Sequence, residues 1–163
     1  PVAVIGSGRS AVEEAIFLSN IASDVTVISN KPEFKADAKE IEHLKSVSNV
    51  KIYFQTDTLS FNGSDKLTSL TLRNQLTNEI FNLNVNAAFI FIGFLPMSPT
   101  INGQSILSKE SNFIDVDHRM QTNYPGIFAA GDIVNKKVRQ ISTAISDGTI
   151  AALSAVDYIK DTL

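Results

Sequence analysis

Val2-Ala3-Val4-Ile5-Gly6-Ser7-Gly8-Arg9-Ser10-Ala11 is the stretch that sets the architecture of this chain. A short apolar strand runs into G-x-G-x-x-A, and a helix is predicted to follow with Val12, Ala15, Ile16 and Ser19 on one face. The glycines permit a tight turn and close approach of backbone to a pyrophosphate, whose negative charge a helix amino terminus favours. A second strand, Val25-Thr26-Val27-Ile28, arrives roughly 20 residues on, as a dinucleotide-binding unit requires. Gly6, Gly8, Arg9, Ser10 and Glu13 are therefore candidate pyridine-nucleotide contacts. Ser10 and Glu13 have a second reading, since Ser-x-x-Glu is also a capping box that would satisfy orphan amides of the helix start.

Towards the other end, Thr122-Asn123-Tyr124-Pro125-Gly126-Ile127-Phe128-Ala129-Ala130-Gly131-Asp132 reads as a buried strand (Ile127 to Ala130) ending in a Gly-Asp pair. Gly131 lets backbone approach a ligand closely. Asp132 offers a carboxylate at a strand's carboxyl end, where open α/β sheets bind ligands. The bland alternative is a glycine turn followed by a helix-capping Asp. The last helix carries Ile141, Ala144, Ile145, Gly148, Ala151, Ala152 and Ala155, a narrow face suited to close packing.

Between these ends, periodicity predicts a helix over Ala38 to Val47 with Ile41 and Leu44 inward, then a strand from Val50 to Phe54. Asn62-Gly63-Ser64-Asp65 marks a turn. Leu70 to Arg73 and Phe81 to Val85 alternate across a polar connection and predict a hairpin with one solvated face. The longest apolar run, Ala87 to Leu95, is broken by Gly93 and stopped by Pro96; it is too short for a bilayer and reads as a central buried strand. Pro96 and Pro99 suit a crossing between lobes. Ile114 to Val116 and Arg119 to Thr122 are expected to pair as short strands.

Composition narrows the function classes. The chain has 163 residues, enough for one domain-sized core or two smaller lobes. A net charge of −3 without a basic stripe argues against nucleic acid. His43 and His118 have no ligand-spaced partner, so no metal site is expected. Asp115, Asp117 and His118 alternate as on a solvent-facing strand edge, and no serine sits in a G-x-S-x-G elbow. No secretory leader is legible, so the default expectation is cytoplasmic, without a membrane. There are no cysteines, and so no thiolate for dithiol exchange within this chain.

The chain resembles the low-molecular-weight thioredoxin reductases. The resemblance rests on the run Ala11 to Ser23, on Phe89-Ile90-Phe91-Ile92-Gly93, on Gly131-Asp132, and on Lys137-Val138-Arg139-Gln140. The flavoprotein component of alkyl hydroperoxide reductase is a near relative of that family. The resemblance implies an α/β fold: a Rossmann-like, three-layer NAD(P)H-binding domain with a β-hairpin insertion over residues 1–93, a crossing over 94–102, and the carboxy-terminal half of an FAD-binding domain over 103–163. It further implies electron flow from NADPH through FAD to a Cys-x-x-Cys pair, and thence to thioredoxin or another disulfide acceptor. The pair and the family's amino-terminal FAD half are expected in a longer parent enzyme, with a homodimer or association with that half as the assembly.

By the same resemblance Gly131 and Asp132 would contact the ribityl side of FAD, and Gly93 is a cofactor-binding position. Arg139 and Gln140 would lie at the flavin pyrimidine, with the Gln140 backbone amide favoured over Arg139. The family's NADPH pattern, His-Arg-Arg-x-x-x-Arg, is replaced here by Ser29-Asn30-Lys31-Pro32-Glu33-Phe34-Lys35. No acid stands at Ser29 to grip a ribose hydroxyl, which makes NADH the less expected donor. Asn30, Lys31 and Lys35 would face a 2′-phosphate without arginine's planar fork, so weaker NADPH binding is expected. The lysines also read as ordinary solvated charges. Two further alternatives are a cysteine-free ferredoxin–NADP reductase-like flavoprotein and a non-catalytic NAD(P)-binding regulatory fragment.

Overall fold

Strand and helix alternate through the first part of the chain: β1 (Val2–Ile5), α1 (Arg9–Ser19), β2 (Val25–Ile28), α2 (Ala38–Ser46), β3 (Val50–Tyr53), β4 (Thr56–Asn62), β5 (Ser69–Asn74), β6 (Ile80–Asn84) and β7 (Ala87–Ile90), with α3 (Ile141–Thr162) near the end. This is a computed structural model, and it describes residues 1–98, 106–108 and 112–162. The chain divides into two compact units, Pro1–Gly93 and Phe94–Leu163. Residues 99–102 of the expected crossing, and residues 103–105, lie outside the described residues.

In the first unit β1, β2, β3 and β7 form a parallel sheet in the order β3-β2-β1-β7, and β4-β5-β6 form an antiparallel sheet. Strand side chains alternate between faces. Val4, Val25 and Val27 therefore meet Ala11, Val12, Ala15, Leu18 and Leu44 from the helices. Ala3 and Ile28 point the other way, onto Leu70, Leu72 and Val85. The result is three layers, with helices and antiparallel sheet on opposite faces of the parallel one. Leu70 and Leu72 are fully buried, each contributing about 1.5–3 kcal/mol.

The helices follow from local chemistry. The buried residues Ala11, Val12, Ala15 and Leu18 recur at helical spacing, and the Asn20 side chain donates to the Ile16 carbonyl at 2.9 Å where α1 ends. Asp37 caps α2 by accepting from the Lys39 amide at 2.9 Å.

Several expectations need correction. The hairpin is a three-stranded meander, because β4 pairs antiparallel with β5 across a register shift between Thr58 and Ser60. The Ala87 run is not a central buried strand: among the described residues β7 pairs only with β1, at the sheet edge, and Ile90 is 53% exposed. Ile127 to Ala130 is not a strand; Phe128 makes a single bridge to Gln121, and Ile127 is 45% exposed. One bridge supplies too few ladder bonds to sustain a strand. Nor do Ile114 to Val116 and Arg119 to Thr122 pair with each other, since Ile114 bridges Leu107 and Val134 instead. Asp117 sits in a tight turn rather than on a strand edge, its carboxylate accepting the Arg119 and Gln121 amides at 2.8 and 3.0 Å.

Among the described residues of the second unit, Ile114, Ala129 and Val134 are buried together. The 3-10 turn Gly131–Ile133 contacts α3. The Tyr158 ring lies edge-on to Phe128, with centroids 6.2 Å apart, and covers Gly126.

Candidate functional site

β1 has β2 on one side and β7 on the other, so the turn after it lies at the point where strand order reverses. That is where open α/β sheets bind ligands. The Gly6 amide bonds the Ile28 carbonyl at 2.9 Å, and the Phe91 amide bonds the Ile5 carbonyl at 2.7 Å. Gly6 has φ +148°, and a Cβ on it would stand 2.3 Å from the Phe91 carbonyl oxygen. Only glycine fits there. Gly8 differs: a Cβ on it would meet nothing within 4 Å. The fold requires one glycine of the pair and leaves the other open.

Gly8 is the N-cap of α1 and provides no side-chain cap. Ser10 lies inside the helix, beyond the cap position, so the capping-box reading is corrected. Glu13 instead accepts from Arg9 Nε at 2.7 Å, the ordinary i,i+4 pairing. The Glu13 hydrogen bond, then Glu13 and Glu40 charge, push the Arg9 pKa up from an already high value. Arg9 and Ser10 are exposed beside an uncapped helix start, an arrangement that attracts anions.

The loop after β2 is stitched to this turn. The Lys35 amide donates to the Ser7 carbonyl at 2.7 Å, and Lys35 bridges Gly8. Phe34 anchors the loop inward, its ring edge-on to Phe54 with centroids 4.8 Å apart. Ser29 is buried, and its hydroxyl accepts the Lys31 amide at 2.9 Å. Asn30, Lys31 and Lys35 are all exposed, and neither lysine is in an ion pair among the described residues. Gly93 closes the unit with φ +114° and open space at its Cβ position.

In the second unit Asp132, Arg139, Gln140, Ile141, Ala144 and Ile145 line an open depression of about 530 Å³. Gly131 turns with φ +84°. Asp132 is exposed, and its carboxylate has no hydrogen-bond or ion-pair partner among the described residues. Arg139 donates through Nε to the Asp132 carbonyl at 3.3 Å. Its guanidinium stands 4.0 Å over the Phe113 ring, which stacks on Phe94 at 6.1 Å. The Gln140 amide donates to Thr143 Oγ1 at 3.1 Å, so the amide favoured from the sequence already has an acceptor. The Gln140 side chain remains exposed at the mouth of the depression.

Asp147, Lys136, Thr143 and Phe113 escaped sequence reading. None belongs to a spaced motif: Lys136 lies on the loop before α3, Thr143 and Asp147 on α3, and Phe113 under the Arg139 guanidinium. Among the described residues no cluster of three His, Asp or Glu side chains is placed to hold a metal, and no helix is long and apolar enough to cross a membrane.

Residues 1–148 match the family model described as pyridine nucleotide-disulphide oxidoreductase. The chain belongs to this family. Thioredoxin reductase of Ureaplasma parvum is 50% identical over 97% of this chain and 51% of its own length. Thioredoxin reductase of Mycoplasmopsis pulmonis is 41% identical over 98% of this chain and 51% of its own. Among solved structures, thioredoxin reductase of Lactococcus lactis superposes with a TM-score of 0.79 at 31% identity, over 98% of this chain and 53% of that one. The chain thus spans about half the length of the thioredoxin reductases it matches. As a member of the family it has the Rossmann-like fold expected from its sequence, and flavin and pyridine nucleotide are the family's cofactors.

Proposed function

We propose that the chain carries the NAD(P)H-binding lobe and the flavin-facing segment of a thioredoxin-reductase-type flavoenzyme. The observation that carries this is Gly8. Its missing Cβ faces open space, in a turn whose other glycine the fold itself requires, which suits a backbone kept bare for a dinucleotide. Held there, the nucleotide would supply hydride, and a flavin beside Asp132 would relay the electrons to a disulfide. A dithiol from outside these residues completes that path, since the chain contains no cysteine.

The residues divide the work. Gly6 sets the turn, and Gly8, Arg9 and Ser10 present backbone and the α1 amino terminus to pyrophosphate. Glu13 holds Arg9 in place, leaving the guanidinium charge beside the turn. Lys35, fixed to the turn through its backbone, and Lys31, on the loop leaving β2, supply positive charge for a 2′-phosphate. Asn30 contributes neutral donors there. Asp132 has a free carboxylate for a ribityl hydroxyl, and Arg139 and Gln140 flank the same depression. Gly93 leaves its backbone unobstructed, and Gly131 turns at φ +84° beside Ala144 of α3. NADPH is the proposed donor, favoured over NADH only as far as two lysines can grip a phosphate. A thioredoxin-like disulfide as acceptor is supported by the named relatives; a homodimer rests on the family resemblance alone.

Titration of the chain with NADPH and NADH, followed by nicotinamide fluorescence, tests the reading. NADPH is expected to bind about tenfold more tightly, and Lys35→Gln to remove most of that margin, a change of ~1.4 kcal/mol. Failure of both nucleotides to bind would sink the nucleotide site; equal binding would sink the NADPH preference.

A further inference from the structure

The Gly131–Ile133 turn is tied to α3 by a partly buried ion pair that has no part in the mechanism above. Asp147 Oδ2 receives the Lys136 ammonium at 2.5 Å and the Gly131 amide at 3.2 Å. The Lys136 and Asp147 side chains are only 17% and 13% exposed. Lys136 also reaches Thr143 Oγ1 at 3.4 Å, and that same hydroxyl accepts the Gln140 amide. A single carboxylate and ammonium thus join the turn bearing Asp132, the loop leading to Arg139 and Gln140, and the opening turns of α3.

A stability role explains this pair poorly. Taking two charges out of water is costly, and apolar residues of similar volume often serve stability as well or better. What the pair supplies is geometry. It fixes the Gly131 amide, and with it a glycine held at φ +84°, immediately before a carboxylate with no partner of its own among the described residues. The Ala144 Cβ lies 3.8 Å from where a Gly131 Cβ would be, so α3 sits against the turn from that side too.

The geometry points to Asp147 and Lys136 as positioning residues that hold the Gly131–Asp132 turn against α3, so that the Asp132 carboxylate and Gln140 present one surface to the flavin. The inference rests on the proposed reading of Asp132 as a flavin contact. Asp147 does not touch the flavin; it acts through the Gly131 amide.

The experiment follows hydrogen exchange at the Gly131 amide by NMR in the whole chain, together with FAD affinity by flavin fluorescence. The variants are Asp147→Asn, the double variant Lys136→Met/Asp147→Asn, and the charge-preserving Lys136→Arg. Expected is exchange at Gly131 at least about tenfold faster in the first two, with amides of α3 beyond Ser154 unchanged. FAD affinity should fall by a comparable factor in those two and stay near that of the unmodified chain in Lys136→Arg. The double variant leaves no unpaired buried charge, so it keeps the test alive if Asp147→Asn alone does not fold. Uniform acceleration along α3 with a lowered melting temperature would show a merely structural pair and overturn the inference. So would unaltered Gly131 exchange in the double variant. If the unmodified chain binds no FAD, the flavin reading falls separately, and Gly131 exchange alone then decides whether the clamp exists.

Discussion

Two glycines two residues apart obey different constraints. Gly6 is required by its own fold, through positive φ and the Phe91 carbonyl at 2.3 Å from any Cβ. Gly6→Ala should therefore cost at least roughly 1–3 kcal/mol in chemical denaturation. Gly8→Ala should change stability by no more than about 1 kcal/mol, the scale of an N-cap substitution. It should nevertheless weaken NADPH binding by about tenfold or more, ~1.4 kcal/mol. Equal loss of stability in both variants would contradict the distinction. The G-x-G pattern was legible in the sequence because strand, glycines and helix lie consecutively. The roles within it were not, since Phe91 comes close to Gly6 only once β7 pairs with β1. Lys136 and Asp147 were less legible still. They are separated by 11 positions, with a loop and a helix start between them, and no periodicity links such a pair.

Elements with regular periodicity could be read directly. β1, β2, α2 and β3 lie where alternation or helical spacing placed them. β4 was missed because Thr56-Asp57-Thr58-Leu59-Ser60-Phe61-Asn62 carries a bulge that breaks its alternation and follows Gln55 at φ +48°. Its place is held by polar chemistry as well as packing. Hydrogen bonds from Arg73 on β5 and from Gln75 hold the Asp57 carboxyl below its ordinary range. A carboxylate with a depressed folded-state pKa stabilises the fold above its unfolded value of about 3.9, and that contribution is lost as pH falls through the folded value. The unmodified chain should thus lose stability between about pH 5 and the folded Asp57 value. Asp57→Asn should flatten that part of the profile. Denaturant midpoints measured at successive pH values would show it, and parallel profiles would refute the assignment.

At the scale of the molecule, Pro1–Gly93 and Phe94–Leu163 differ in how far each is built. The first unit has two apolar cores on either side of one sheet; the second has, among the described residues, a core cluster of three buried apolar side chains and a long helix largely open to solvent. A protein of residues 1–93 should unfold in a single cooperative transition and bind NADPH within about threefold of the whole chain, ~0.65 kcal/mol. Calorimetry and nucleotide titration check both parts, and a broad, non-cooperative melt would show that the unit needs the rest. The contrast between Gly6 and Gly8 extends beyond any one molecule. In lineages that abandon the dinucleotide but keep the fold, selection should preserve the first glycine and release the second. Drift at Gly8 beside an invariant Gly6 would then be a genetic record of lost cofactor use, readable without purifying a protein.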